Sequence, residues 1–169
     1  MQEKTSRQVP VSRNRTSPDQ NFAFPMAVVY FRLLPESRPK SGMPAFYKVD
    51  QERRLVMSTG SGVLTMADLL AHQEKLLVDP DFSPDFSQFW DLTHVTEVEL
   101  TTEELRRLAA RSIFSPESRR AILVSNDLVF GLSRMFEIFR ETLGENGIHV
   151  FRNLDNALDW VLAKHNTSD

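Results

Sequence analysis

The sequence predicts an α/β domain on a mostly parallel five-stranded sheet, with the element order β-β-α-β-α-β-α-β-α. Three observations lead there. Strand-length apolar runs alternate with longer segments whose apolar residues recur every three or four positions, which is the pattern of strands alternating with helices. The run Arg120-Ala121-Ile122-Leu123-Val124-Ser125 is apolar at each interior position, as in a strand covered on both faces. A Thr or Asn stands where each helical segment begins, the place of a cap.

The first two strands are expected over 46–50 and 54–59, a hairpin joined by the polar Asp50-Gln51-Glu52-Arg53. Gly60-Ser61-Gly62 then reads as a flexible turn. Thr65 and Asp68 form a capping box for the first helix. Its Met66, Leu69, Leu70, Gln73, Leu76 and Leu77 follow helical spacing, and Asp79-Pro80 ends it because proline cannot continue a helix. A third strand is expected over 87–92. The second helix, 102–112, has Thr101 as N-cap and Glu104 as its box partner, with Leu105, Leu108 and Ala109 facing inward. The fourth strand covers 120–125. The third helix, 127–143, would line one face with Leu128, Leu132, Met135, Phe136, Phe139 and Leu143, and Gly144 would stop it. A fifth strand over 148–151 leads to Asn153, the cap of a last helix that turns Ala157, Leu158, Val161 and Leu162 inward. Strands in this alternation are joined by right-handed crossovers and run parallel, with the opening hairpin adding one antiparallel strand.

The chain has 169 residues, 41% hydrophobic and 25% charged, enough for one domain with a sizeable core, expected over 43–165. Residues 1–42 differ in kind. They hold five of the nine prolines, and seven cationic side chains stand against three anionic ones there, a net +4. The total being -3, the remainder carries -7. The first segment is expected to be disordered or to precede the true start, with Met26 and Met43 as alternatives to Met1. Residues 166–169 are expected to fray. An acidic domain repels phosphate backbones, so nucleic acid is not an expected partner. No apolar run reaches the roughly 20 residues of a membrane span. The absence of cysteine rules out disulfides, thiolate zinc sites and a cysteine nucleophile, and fits a cytoplasmic location.

No catalytic constellation stands out. His72, His94, His149 and His165 show no metal-ligand spacing, and no cofactor is expected. His72, four residues after Asp68, reads as half of a solvated ion pair. Gly60-Ser61-Gly62 lacks the Walker lysine, the dinucleotide spacing and the nucleophile elbow. On the third helix, Phe130 and Ile138 fall off the face set by Leu128, Leu132 and Phe139. The helix is then either buried over most of its circumference or carries an apolar patch for a partner, a second subunit or a lipid tail.

Four stretches carry a family resemblance: Trp90-Asp91-Leu92 at a strand end, Arg120 to Ser125, Phe130-Gly131-Leu132-Ser133-Arg134-Met135-Phe136, and Val150-Phe151-Arg152-Asn153 before Ala157-Leu158-Asp159-Trp160. Together with the element order they resemble the STAS-like (SpoIIAA-like) regulatory domains of bacteria, over roughly residues 45–164. The resemblance implies a module that binds a partner kinase and is controlled by phosphorylation at the start of the helix after the third strand. By spacing from Asp91 that start is Thr101-Thr102. Here the chain departs from the family, having no Asp-Ser-Ser-Gly stretch and placing Glu103 and Glu104 where they oppose a phosphate. Thr101 then has capping alone as its ordinary role. The expected function is a non-enzymatic regulatory module presenting Asp91, Thr101, Thr102, Phe130 and Ile138 to a protein partner or to a second copy. The alternative is a carrier of a small hydrophobic ligand or lipid, because STAS-like domains are similar to Sec14-type lipid-binding folds.

Overall fold

The computed structural model of the chain describes residues 44–163, and the segment 1–42 and the tail 166–169 lie outside them. The elements are β1 Ala45–Asp50, β2 Leu55–Thr65, α1 Met66–Leu77, β3 Ser87–Glu99, α2 Thr102–Ala110, β4 Arg120–Leu123, α3 Asp127–Glu141, β5 Ile148–Phe151 and α4 Leu154–Leu162. The order is the one expected, and the sheet is mixed but mostly parallel.

Strand order in the sheet follows chain order, β1 to β5. β1 pairs antiparallel with β2, and the other three pairings are parallel. Because the order never reverses, right-handed crossovers place α1, α2 and α3 on the same face. Among the described residues no strand follows α4, which packs on the opposite face. There Ala157, Leu158 and Val161 meet Leu55, Phe89 and Leu123 in a dry core. The first face is filled by Leu64, Val95, Ile122, Val124 and Val129, extended by Val56, Leu76 and Phe114.

The helix starts are set locally. Thr65 and Asp68, and Thr101 and Glu104, close reciprocal capping boxes, while Asn126 and Asn153 cap α3 and α4. These settle orphan N–H groups within one turn of the chain.

Three expectations are corrected. The second strand does not stop at Thr59. It continues through Gly60-Ser61-Gly62 as a bulged strand, with register shifts between Thr59 and Ser61 and between Gly62 and Val63. A Cβ at Gly60 would come within 2.9 Å of the Leu92 side chain and 3.0 Å of Val95, and Gly62 has φ +67. The glycines thus serve close packing and a left-handed bulge. The third strand likewise runs on to Glu99, so Asp91 lies inside it rather than at its tip. On α3 the inner face is rotated. Val129, Ser133, Glu137 and Arg140 are buried, whereas Leu128 (60%) and Leu143 (58%) are exposed. Ion pairs to β5 and to the loop after α3 hold the polar members inside, and apolarity alone could not reveal them.

No helix among the described residues is long and apolar enough to cross a membrane.

Candidate functional site

The helix-covered face of the sheet contains polar residues at its centre. Parallel pairing puts Gln88 of β3 beside Arg120 of β4, and Ser58 of β2 lies two residues along from Val56, the β2 partner of Gln88. All three are buried. From above, α1 lowers His72, which is 3% exposed, onto this row. His72 Nε2 and Ser58 Oγ are 3.1 Å apart, and Gln88 Nε2 donates to the same Ser58 oxygen at 3.1 Å. The His72 ring packs against Trp90 with centroids 4.5 Å apart, and against the edge of Tyr47 at 5.4 Å. Burial, helped by the charge of Lys75, pushes the His72 imidazole down to about 4, so it is neutral at ordinary pH. The reading of His72 as a solvated partner of Asp68 is therefore wrong: Asp68 is engaged in the α1 capping box, and the ring faces the sheet.

Around this cluster lies a cavity of about 110 Å³ between the sheet and α1, α2 and α3. Its walls are mainly apolar, with Leu69 from α1, Leu105 and Leu108 from α2, Leu132 and Phe136 from α3, and Trp90 from the sheet. Among the polar groups in the wall, His72 Nδ1, Gln73 Oε1 and Arg120 Nε are buried without a hydrogen-bond partner among the described residues. Buried polar atoms are nearly always paired, and these residues give polar character to an otherwise apolar wall. The cavity is of the order of the about 150 Å³ that takes up benzene in an engineered protein core. Its size suits a ring or a short chain, not a whole diacyl lipid.

A serine and a histidine 3.1 Å apart also invite a catalytic reading. Among the described residues no acid orients His72 Nδ1, so a third member is not seen there. The Ser58 hydroxyl is shared with Gln88. The arrangement fits a polar anchor inside an apolar wall. Among the described residues no group of three or more His, Asp or Glu side chains could hold a metal ion.

The residues singled out from the sequence do not come together. Asp91 is 3% exposed, accepts from the Thr93 N–H at 2.9 Å and from its hydroxyl at 2.6 Å, and belongs to the α4 face through its partner Leu123. It is not available to a partner. Phe130 is half-buried in the opposite core under the Arg152 guanidinium, 4.3 Å above its ring. Ile138 is 49% exposed. Thr101 and Thr102 are exposed at the start of α2, and the Thr101 hydroxyl is held by Glu104 at 2.8 Å.

Sequence reasoning missed Ser58, His72, Gln88 and Arg120. One signal was present: His72 lies three residues after Leu69 and four before Leu76, which puts it on the inner stripe of α1. Gln88 beside Arg120 depends on strand register and carried no such signal.

No protein-family model matches the chain, and no curated protein does. Among solved structures, it is similar to an uncharacterised protein of the DUF3478 family from Shewanella loihica, described as having a SpoIIAA-like fold. The two share 16% identity over 74% of this chain and 99% of that one, with a TM-score of 0.47. The likeness concerns fold and says nothing of function.

Proposed function

We propose that the chain is a non-catalytic binding module that takes a small, mainly apolar molecule between its sheet and α1–α3. One observation carries this: a ring-sized, mainly apolar cavity whose wall includes the polar residues His72, Gln88 and Arg120. Pockets for small molecules combine apolar walls with a few convergent polar groups, as here. Burial of the ligand would add to folding stability by mass action.

A second reading, a regulatory protein-interaction module of STAS-like type, is favoured by the exposed Leu128 and Ile138 of α3, the exposed Leu143 just after it, and the accessible Thr101 and Thr102. Native mass spectrometry of the full chain, purified gently from its own host, separates the two. A small bound mass supports the ligand reading. A chain that is empty in every preparation but carries a protein partner or forms a dimer would retire it in favour of the second.

A further inference from the structure

The charge in the cavity wall has one sign. Among the described residues that line it, the charged side chains are Arg111 and Arg120, both cationic. Arg111 is half-buried and reaches Glu74 at 3.8 Å. Arg120 is 8% exposed and stands at the centre of the sheet beside Gln88.

Behind Arg120 the charges do not balance. Glu145 pairs with Arg120 through one carboxylate oxygen and with Arg140 through the other. Arg140 also donates to the Ala109 carbonyl and is fully buried. The other buried carboxylate nearby, Glu137, is committed to Arg134 at 2.5 Å and to His149 at 3.0 Å. Two buried guanidiniums therefore share one carboxylate, an excess of one positive charge against the cavity. Burial pushes the Arg120 guanidinium down to about 10, with Arg140 adding to the fall and Glu145 opposing it. Neutral His72 neither adds to nor cancels this excess. An unbalanced charge in a low-dielectric interior is costly, and an anion placed against it gains accordingly.

We infer that the occupant is a small organic anion, a ring or short branched chain bearing one carboxylate, with the carboxylate on Arg120 and the apolar body against Trp90, Leu132 and Phe136. This rests on the ligand-binding reading. A carboxylate matches the single excess charge, whereas a phosphate monoester brings about -1.5 to -2 and would overshoot it. The planar guanidinium suits a carboxylate geometrically.

The test compares toluene, benzamide and benzoate, three probes with one ring and different charge and polarity. Binding to the full chain is read from the rise in melting temperature over a concentration series. Benzoate should bind about tenfold or more tighter than either neutral probe, as for a desolvated charge-assisted contact. Arg120→Gln, which leaves Arg140 and Glu145 as a balanced pair, should bring that ratio near one while toluene still binds. Arg111→Gln, nearer the surface, should leave most of the preference intact. Toluene or benzamide binding the unaltered chain as tightly as benzoate overturns the anion assignment and leaves the cavity reading standing. No rise with any of the three overturns both. Should Arg120→Gln fail to fold, the ratio on the unaltered chain still decides.

Discussion

The two faces of the sheet are built on opposite principles. Under α4, Leu55, Phe89 and Leu123 meet Ala157, Leu158 and Val161 in an apolar cluster, with Asp91 buried beside Leu123. Under α1–α3, the strands bring Ser58, Gln88 and Arg120 to the centre, and the helices stop short of filling the space above them. A dry, close-packed face is what stability alone would select. Buried polar groups and a cavity each lower stability, and their coincidence on one face is what the ligand-binding proposal rests on. The difference teaches that the helix count on a face does not decide how well it is packed: three helices cover the face with the hole, and one helix closes the other.

This contrast can be broken or sharpened by substitution. The largest effect is expected for Glu145→Gln, which leaves Arg120 and Arg140 buried with no carboxylate between them. A loss of about 3–5 kcal/mol in urea denaturation is expected. Arg120→Gln should cost clearly less, because it leaves one pair balanced. Equal losses would show that the buried charge is not in excess. On the other face, Leu158→Ala should cost about 3 kcal/mol through lost burial and a residual cavity. A loss under about 1 kcal/mol would show that α4 is loosely packed, contrary to the dry-core description.

The smallest effect concerns pH. The folded-state pKa of His72 lies below its unfolded value, about 4 against 6.5. The unfolded chain therefore binds the proton first. Stability is whole above pH 6.5 and is lost as pH falls from there toward 4. Between pH 7 and pH 5 the His72 contribution to that loss is about 2 kcal/mol. His72→Leu should flatten the fall of the unfolding free energy, read from urea denaturation, by that amount. The same pH dependence in the variant and the unaltered chain would show that the ring is solvated after all.

The local features were legible early. Thr65 with Asp68, and Thr101 with Glu104, are capping boxes in the sequence and in the structure, because their hydrogen bonds join residues three apart. The inward residues of α4, Ala157, Leu158 and Val161, follow from helical spacing against an apolar sheet. On α3 the same reasoning was right for Leu132 and Phe136, which line the cavity, and wrong for Leu128 and Leu143. Apolar Leu128 and Leu143 face outward, while Glu137 and Arg140 are buried, since Glu137 meets His149 and Arg140 meets Glu145 across the fold. Asp91 was misplaced for a related reason, as β3 continues beyond it to Glu99 through pairing with a bulged β2.

The sequence by itself determined the order of strands and helices, the caps and the inner face of the last helix. Each rests on interactions spanning a turn or two of chain, and these survive without knowledge of neighbours. The tertiary structure alone decided which polar side chains meet in the interior. Strand register placed Gln88 beside Arg120, the crossovers brought His72 over Ser58, and chain return after α3 set Glu145 between two arginines. These contacts join residues 14 or more apart along the chain in the His72–Ser58 pair and 25 in the Arg120–Glu145 pair. They exist only because the parallel sheet and its helical layer fix, together, which side chains share the interior.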